Sequence, residues 1–398
     1  MHPALLHEAR GRAFLRVRQK RDERRAMDNF QSIIIHWKFA AVLCLLVLGS
    51  EVVAKNADLT LAKKRKKDEF YTQLVDIENE LKHYKEHFKG KVVLCNCDDP
   101  RKSNFFKYFA DNFEKLQLKR LIATCYKSQD VDLFSQGDCE RAICQIYEGD
   151  KNGNMAVDDD EVCVKELKGD GDFRSEECIE ILKQADVVVT NPPFSLFREY
   201  VAQLVKYDKK FLIIGNVNAI TYRESFPLIK DGKMWFGASI HSGDREFGVP
   251  QDYPLTATSC RVDEKGQKYI RVKGVRWFTN LDYKERHENL PLYKMYSPNE
   301  FPRYDNFDAV NVDKTADIPM DYGGIMGVPI TFLDKYCPEQ FEIIWQASGN
   351  TRASTPKEIL KELGYCIHPE DRGGCGVVNG KRTYGRIFIR HRKPERTL

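Results

Sequence analysis

Residues 186–217 constrain the fold more than any other stretch. Val187–Thr190 is a β-favouring run, and Asn191-Pro192-Pro193-Phe194 halts it. Ser195–Lys206 follows with Leu196, Phe197, Tyr200, Val201 and Leu204 at helical spacing, and Phe211–Val217 is a second apolar run. A short apolar strand, an amphipathic helix and another apolar strand are the pattern of a β-α-β crossover, whose strands run parallel with both faces covered. Two prolines end the first strand because they lack the N–H a ladder needs and fix φ near −65°.

An earlier unit repeats the pattern. KVVLCNC (91–97) reads as a buried strand, and SNFFKYFADNFEKL (103–116) as a helix with Phe105, Phe106, Phe109 and Phe113 inward. RLIATC (120–125) is the next strand. This alternation predicts an α/β fold, a doubly wound, mostly parallel sheet with helices on both faces. Between the units, Asn152-Gly153 is a hairpin turn signal inside alternating runs. Upstream, Leu74, Ile77, Leu81 and Tyr84 recur at helical spacing in a surface helix before Gly90 stops the run. Beyond about residue 222 the text becomes turn-rich and aromatic, with a strand-like pair around Asn379-Gly380, so a smaller, more β-rich part is expected there. The sequence holds no internal repeat and no low-complexity tract.

With 31% charged and 42% hydrophobic residues over 398 positions, the chain is neither a disordered nor a membrane sequence. A net charge of +4 leaves nucleic acid open, since a local basic face matters more than the sum. The twelve cysteines include no CxxC pair; Cys95 and Cys97 flank one residue, and Cys139 and Cys144 lie five apart. Reduced thiols in a cytoplasmic protein fit this better than a disulfide scaffold or zinc ribbon. Two readings meet at the N-terminus. An apolar run at 39–48 with small residues after it fits a signal peptide starting at Met27, but it is shorter than the ~20 residues of a spanning helix. The preferred reading is an over-extended frame, with Val53 as an alternative start.

Two patterns mimic metal sites. His83–His87 (HYKEH) has H-x-x-E-H spacing but no third ligand in view, so both imidazoles are taken as surface groups on one helical face. Asp150, Asn152, Asn154, Asp158 and Glu161 fall at calcium-loop spacing, yet Met155 stands where the loop wants glycine and the flanks are strands, not helices. No metal is expected.

Asn191 is the first residue beyond the carboxyl end of its strand, where open α/β sheets bind ligands. The adenine amine is a poor nucleophile because its lone pair is delocalised into the ring. The Asn191 amide oxygen and the Pro192 carbonyl are two acceptors for its N–H bonds, freeing that lone pair. Pro193 stiffens the turn, and Phe194 can stack on a base flipped out of a duplex. An Asn-Pro turn merely closing a strand is the plain alternative. The strand before and the helix after favour the site.

The motif Asn191-Pro192-Pro193-Phe194 resembles the [ND]-P-P-[FYW] of S-adenosylmethionine-dependent amino-methyltransferases. More narrowly, the text is similar to EcoRI-type adenine-specific DNA methylases of restriction-modification systems. DEFYTQ (68–73), VVLCNCDDPRKSNFFKYF (92–109) and GDGDFRS (169–175) look like that family's N-terminal cofactor motif, first cofactor strand and turn, and acidic loop, in the family's order. The resemblance runs from about Ala62 to the C-terminus. It implies an N-terminal extension (1–61), an S-adenosylmethionine-binding catalytic core (62–222), and a remainder of the core with a β-rich target-recognition region (223–398). It implies that Phe70, Tyr71 and Thr72 wall the methionine pocket, that Asp98 or Asp99, with Pro100, meets the cofactor's charged end, and that Asp172 and Phe173 sit at its adenine. Double-stranded DNA is the implied partner, GAATTC the implied target and a monomer the expected state, with no stable membrane association.

Two features depart from the pattern. The turn DDPRKSNF has no glycine, so Ser103 and Asn104 must allow close approach, and LIATC lacks a ribose-binding acid. Arg245, Arg276, Trp277, Lys381, Arg382, Tyr384 and Arg386 are candidate DNA contacts, as is the Lys63–Lys67 run. The same motif chemistry also serves RNA-adenine and protein-glutamine methyltransferases, and a DNA-binding protein with a decayed cofactor site is the non-enzyme alternative.

Overall fold

The computed structural model describes residues 71–127, 141–241, 243–249, 260–349 and 351–395. All lie in one compact unit, Asp68–Leu398. The 39–48 run, Met27, Val53, Lys63–Lys67, Phe70 and Cys139 lie outside the described residues.

Strand β1 (Tyr71–Thr72) leads into helix α1 (Leu74–Leu81). The first unit is β2 (Val92–Asn96), α2 (Asn104–Asp111), α3 (Phe113–Leu116) and β3 (Arg120–Thr124). The Asn152-Gly153 turn region joins β4 (Ile143–Tyr147) to β5 (Val162–Glu166), an antiparallel hairpin as expected. The second unit is α4 (Glu176–Gln184), β6 (Val187–Thr190), α5 (Phe197–Lys206), β7 (Lys210–Asn216) and α6 (Phe226–Lys230). Then come β8 (Trp235–Phe236), β9 (Asp244–Val249), β10 (Cys260–Val262), β11 (Lys268–Lys273) and β12 (Val275–Thr279).

The large sheet has the order β5-β4-β3-β2-β6-β7-β12-β8. Its centre, β3-β2-β6-β7, is parallel, while β4, β5 and β12 are antiparallel additions. The sheet is therefore mixed, parallel only where helical crossovers connect the strands. Alternate residues of the central strands serve two cores. Val92, Leu94, Ile122, Val188 and Ile213 pack with Tyr200, Leu204 and Phe226 from α5 and α6. Val93, Leu121, Val189, Leu212 and Ile214 pack with Ile77, Leu81, Phe105 and Phe109 from α1 and α2. Period-two alternation with both faces apolar is why these strands read as unbroken hydrophobic runs.

The direction of strand addition reverses between the parallel strands β2 and β6: the first unit steps outward to β3, the second to β7. Such a reversal opens a crevice at the carboxyl ends of the two strands.

The later residues are β-rich. One four-stranded sheet has the order β1-β9-β11-β10, with Tyr71 opposite Gly248 and Thr72 opposite Phe247. Another is built from β13 (Val310–Asn311), β14 (Ile325–Pro329), β15 (Phe341–Ala347) and, after the hairpin β16 (Val377–Val378) and β17 (Lys381–Arg382), β18 (Arg386–His391). Trp345 meets Phe226 edge-on, with ring centroids 5.3 Å apart, so this sheet shares a core with the second unit.

The expected face of paired histidines is absent. Helix α1 stops at Leu81; His83 Nδ1 lies 3.0 Å from Glu285 Oε1, and His87 Nε2 is 2.7 Å from the Asp282 carbonyl. Tyr84, expected in the apolar stripe of that helix, is fully buried but lies beyond the helix end. At the calcium-like loop Met155 has φ +60°, and Asp150 accepts the Gly153 and Met155 N–H groups at 2.6 and 2.7 Å. Among the described residues no group of three or more His, Cys, Asp or Glu side chains is arranged to hold a metal. No helix among them is long and apolar enough to cross a membrane.

Candidate functional site

The turn after β2 and the loop after β6 leave the carboxyl ends of neighbouring parallel strands, the place where open α/β sheets bind ligands. Asn191 and Pro192 are buried, and Pro193 and Phe194 are half-buried. The Phe194 ring packs at the margin of the core under α1 and α2. A single 3-10 turn, Phe194–Leu196, carries the chain from the two prolines into α5.

The cofactor-like turn is tightly knitted. The Asp99 carbonyl accepts from Lys102 N and Ser103 N at 2.9 and 2.8 Å. Ser103 caps α2 by accepting the Phe105 N–H, and its hydroxyl donates to Asp98 Oδ2 at 3.1 Å. The two acids differ. Burial pushes Asp98 up to about 7, the Ser103 hydroxyl works against the shift, and Asp99 adds to it. Asp99 instead meets Arg101, whose Nε and Nη2 lie 3.1 and 3.0 Å from its two oxygens. Pro100 and Ser103 also edge a cavity of about 500 Å³ that Gln145, Val157 and Val162 of the hairpin region close from the other side.

Ser103 and Asn104 do not supply a glycine-like backbone. The left-handed residue is Cys97, at φ +82° immediately after β2. Asn104 Nδ2 reaches back to the Thr72 carbonyl at 2.7 Å and holds β1 against the start of α2. Thr72 is buried, and among the described residues its hydroxyl has no hydrogen-bond partner.

The acidic loop lies at the end of β3. Lys127 N donates to the Asp170 carbonyl at 2.7 Å. Gly171 has φ +78°, and a Cβ there would come within 2.1 Å of the Cys125 carbonyl oxygen, so only glycine fits. The sequence shows Gly171 as part of GDGD but carries no local sign of this packing role. Asp172 is held by Arg174, with Nε to Oδ1 at 2.9 Å and Nη2 to Oδ2 at 2.7 Å. Phe173 is buried, edge-on to Tyr200.

Two expected DNA contacts are corrected. Arg276 is buried and paired to Asp334 at 2.7 Å, and Trp277 is a fully buried core residue, because β12 is an inner strand of the large sheet. Arg245 lies 3.6 Å from Asp76, and Arg386 is directed toward Asn311 and Asp313. Lys381, Arg382 and Tyr384 are exposed on the β16–β17 hairpin and after it. Sequence reasoning passed over Arg198, an exposed cation in the first turn of α5, 4.0 Å above the Tyr222 ring.

Residues 58–392 match the family model described as "Adenine-specific methyltransferase EcoRI". The type II methyltransferase M.EcoRI of Escherichia coli is 51% identical over 342 residues, 85% of this chain and 98% of that protein. Type II methyltransferases of Mycoplasma genitalium (M.MgeORF184P, 38%) and Mycoplasma pneumoniae (M.MpnI, 37%) each align over 83% of this chain and 97% of their own length. No solved structure matches. With most of the chain matched, and the crevice flanked by the two motif loops, the chain belongs to the EcoRI family of adenine-specific methyltransferases.

Proposed function

We propose that this chain, as the modification enzyme of a restriction-modification system, transfers a methyl group from S-adenosylmethionine to N6 of an adenine flipped from double-stranded DNA. The observation that carries the proposal is the meeting of the Asn191-Pro192-Pro193-Phe194 loop and the Asp98–Ser103 turn at one sheet reversal.

The residues suit the cofactor. A buried carboxyl at Asp98 fits the ammonium of the methionine end, and the Thr72 hydroxyl, without a partner among the described residues, is a polar group that such a ligand would satisfy. Tyr71 and Thr72 would wall that pocket. Asp172, released from Arg174, would accept from the adenine amine, with Phe173 supporting the loop. When bound, the cofactor supplies an electrophilic methyl group on a sulfonium leaving group.

The protein's part is positioning and polarisation. The Asn191 amide oxygen and the Pro192 carbonyl accept the two N6–H bonds, so the nitrogen lone pair turns toward the methyl carbon. Phe194 stacks on the flipped base. The N6–H proton becomes acidic only once the new C–N bond has formed, and it leaves to water along the Asn191 or Pro192 oxygen. No strong base is required. The β-rich residues beyond 222 would read the target, with Lys381, Arg382 and Tyr384 in contact with DNA.

The test is transfer of tritiated methyl from the cofactor to duplex DNA, followed by digestion to nucleosides. Label in N6-methyladenine supports the proposal. Label that appears only in RNA, or in protein glutamine, refutes the DNA substrate. Absence of cofactor binding would leave a non-catalytic DNA-binding protein.

A further inference from the structure

Strands β2 and β6 flank the crevice but pair only at Val93–Val187 and Leu94–Val188. On their outer sides pairing continues to the strand ends, Asn96 with Thr124 and Thr190 with Ile213. The two strands therefore part where the cofactor turn and the Asn191 loop begin, and the ladder offers no bond across the gap. A side chain spans it: the Thr190 hydroxyl donates to the Asn96 carbonyl. From α5, the Tyr200 hydroxyl donates to the Asn96 side-chain oxygen, and the Cys97 thiol lies beside that hydroxyl. Asn96, Thr190 and Tyr200 are all buried, so water cannot easily replace either bond.

Cys97 is where this grip matters. Its φ of +82° is costly for any residue with a side chain and persists only where the surroundings impose it. The residue before it is clamped at its main-chain oxygen by Thr190 and at its side chain by Tyr200. Phe173 packs edge-on against the Tyr200 ring at 5.0 Å, which joins the acidic loop to the same clamp.

We infer that Thr190 and Tyr200 are positioning residues for methyl transfer: acting through Asn96, they hold the glycine-free cofactor turn in its left-handed bend, in register with the Asn191 loop. Neither touches the reacting atoms. The inference rests on the proposed methyl transfer, and it explains how a turn without glycine keeps a conformation that glycine would adopt freely.

The experiment uses the full chain, tritiated S-adenosylmethionine and duplex DNA, with Thr190→Val, Thr190→Ser, Tyr200→Phe, the Val/Phe double variant and Cys97→Gly added to Tyr200→Phe. Thr190→Val and Tyr200→Phe are each expected to lower kcat about tenfold or more with KM for DNA within about twofold, the mark of a misplaced cofactor turn rather than lost DNA binding. Thr190→Ser keeps the hydroxyl and is expected to keep the rate. The double variant should lose little more than the worse single one, because both act through one residue. Cys97→Gly should restore a large part of the Tyr200→Phe loss by removing the need for the clamp.

A purely structural role would lower the melting temperature and leave kcat unchanged well below it, and that outcome overturns the inference. Full additivity in the double variant, or no rescue by glycine, also overturns it. Should Tyr200→Phe fail to fold, the Thr190 Ser/Val contrast decides. A wild type that binds cofactor but methylates no DNA would sink the proposed function instead. Cofactor affinity would then be the readout: about a tenfold loss in Tyr200→Phe sustains the clamp, and an unchanged value refutes it.

Discussion

Asn104, the first residue of α2, donates from Nδ2 to the carbonyl of Thr72, 32 residues earlier, at 2.7 Å. Strand β1 is only two residues long, so this bond is a large part of what fixes it beyond its pairing with β9. Asn104→Ala is expected to loosen the Tyr71–Thr72 wall and weaken S-adenosylmethionine binding by about two- to tenfold, the worth of one hydrogen bond. Titration calorimetry checks this. A variant with wild-type affinity would show that β1 takes no part in the cofactor pocket.

Asp98 makes the unliganded protein pH-sensitive. Burial lifts its carboxyl to about 7 from 3.8, so between those values the folded chain keeps a proton that the unfolded chain has released. This group's stabilising contribution is full below about pH 3.8 and is lost as the pH rises through about 7. A cation beside Asp98 favours its ionised form, so cofactor affinity should rise from pH 6 to pH 8, with proton release on binding near neutrality. Calorimetry in buffers of different ionisation enthalpy measures that release. Asp98→Asn should abolish it; an unchanged proton count in Asp98→Asn would assign the proton elsewhere.

Arg276 and Asp334 form a buried ion pair, and Arg276 Nη2 also donates to the His241 carbonyl at 2.6 Å. Arg276→Met leaves the carboxylate buried without a partner and should cost about 3–5 kcal/mol in denaturant unfolding. The loss should shrink in acid, because Asp334 is already raised by burial and would protonate. The salt dependence of DNA binding should not change, in contrast to a residue that touches phosphate.

The β16–β17 hairpin should behave in the opposite way. Asn379 and Gly380 turn it with φ of +49° and +69°, and Lys381 and Arg382 stand exposed beyond the turn. Arg382→Ala is expected to leave the melting temperature unchanged and to reduce the slope of log K against log salt by about 1, as for one lost phosphate contact. An unchanged slope would remove this hairpin from the DNA interface.

Much of this architecture was legible because its signals are local. Leu196, Phe197, Tyr200, Val201 and Leu204 declare a helix by spacing alone, and Pro192-Pro193 declares the end of a strand. What escaped depends on partners far away in sequence. Nothing near Tyr71 announces its pairing with Gly248, and Arg276 and Trp277 look like surface groups until β12 enters the sheet between β7 and β8. DDPRKSNF lacks a glycine, and nothing in it announces the left-handed bend just before it. That bend falls on Cys97, next to a residue gripped from β6 and α5. Backbone handedness at a single residue leaves no periodic trace, and the inferred clamp on its neighbour comes from residues 94 and 104 positions away.

The most direct test of the account maps methylated adenines, base by base, in DNA exposed to the pure protein and to Asn191→Ala, alongside each protein's cofactor affinity. The account predicts N6-methyladenine at one position of one short recurring sequence with the wild type. It predicts none with Asn191→Ala, whose cofactor affinity stays within about threefold of the wild type. Methylation by Asn191→Ala at the wild-type rate, or equal loss of transfer and cofactor binding, would place the catalytic centre elsewhere.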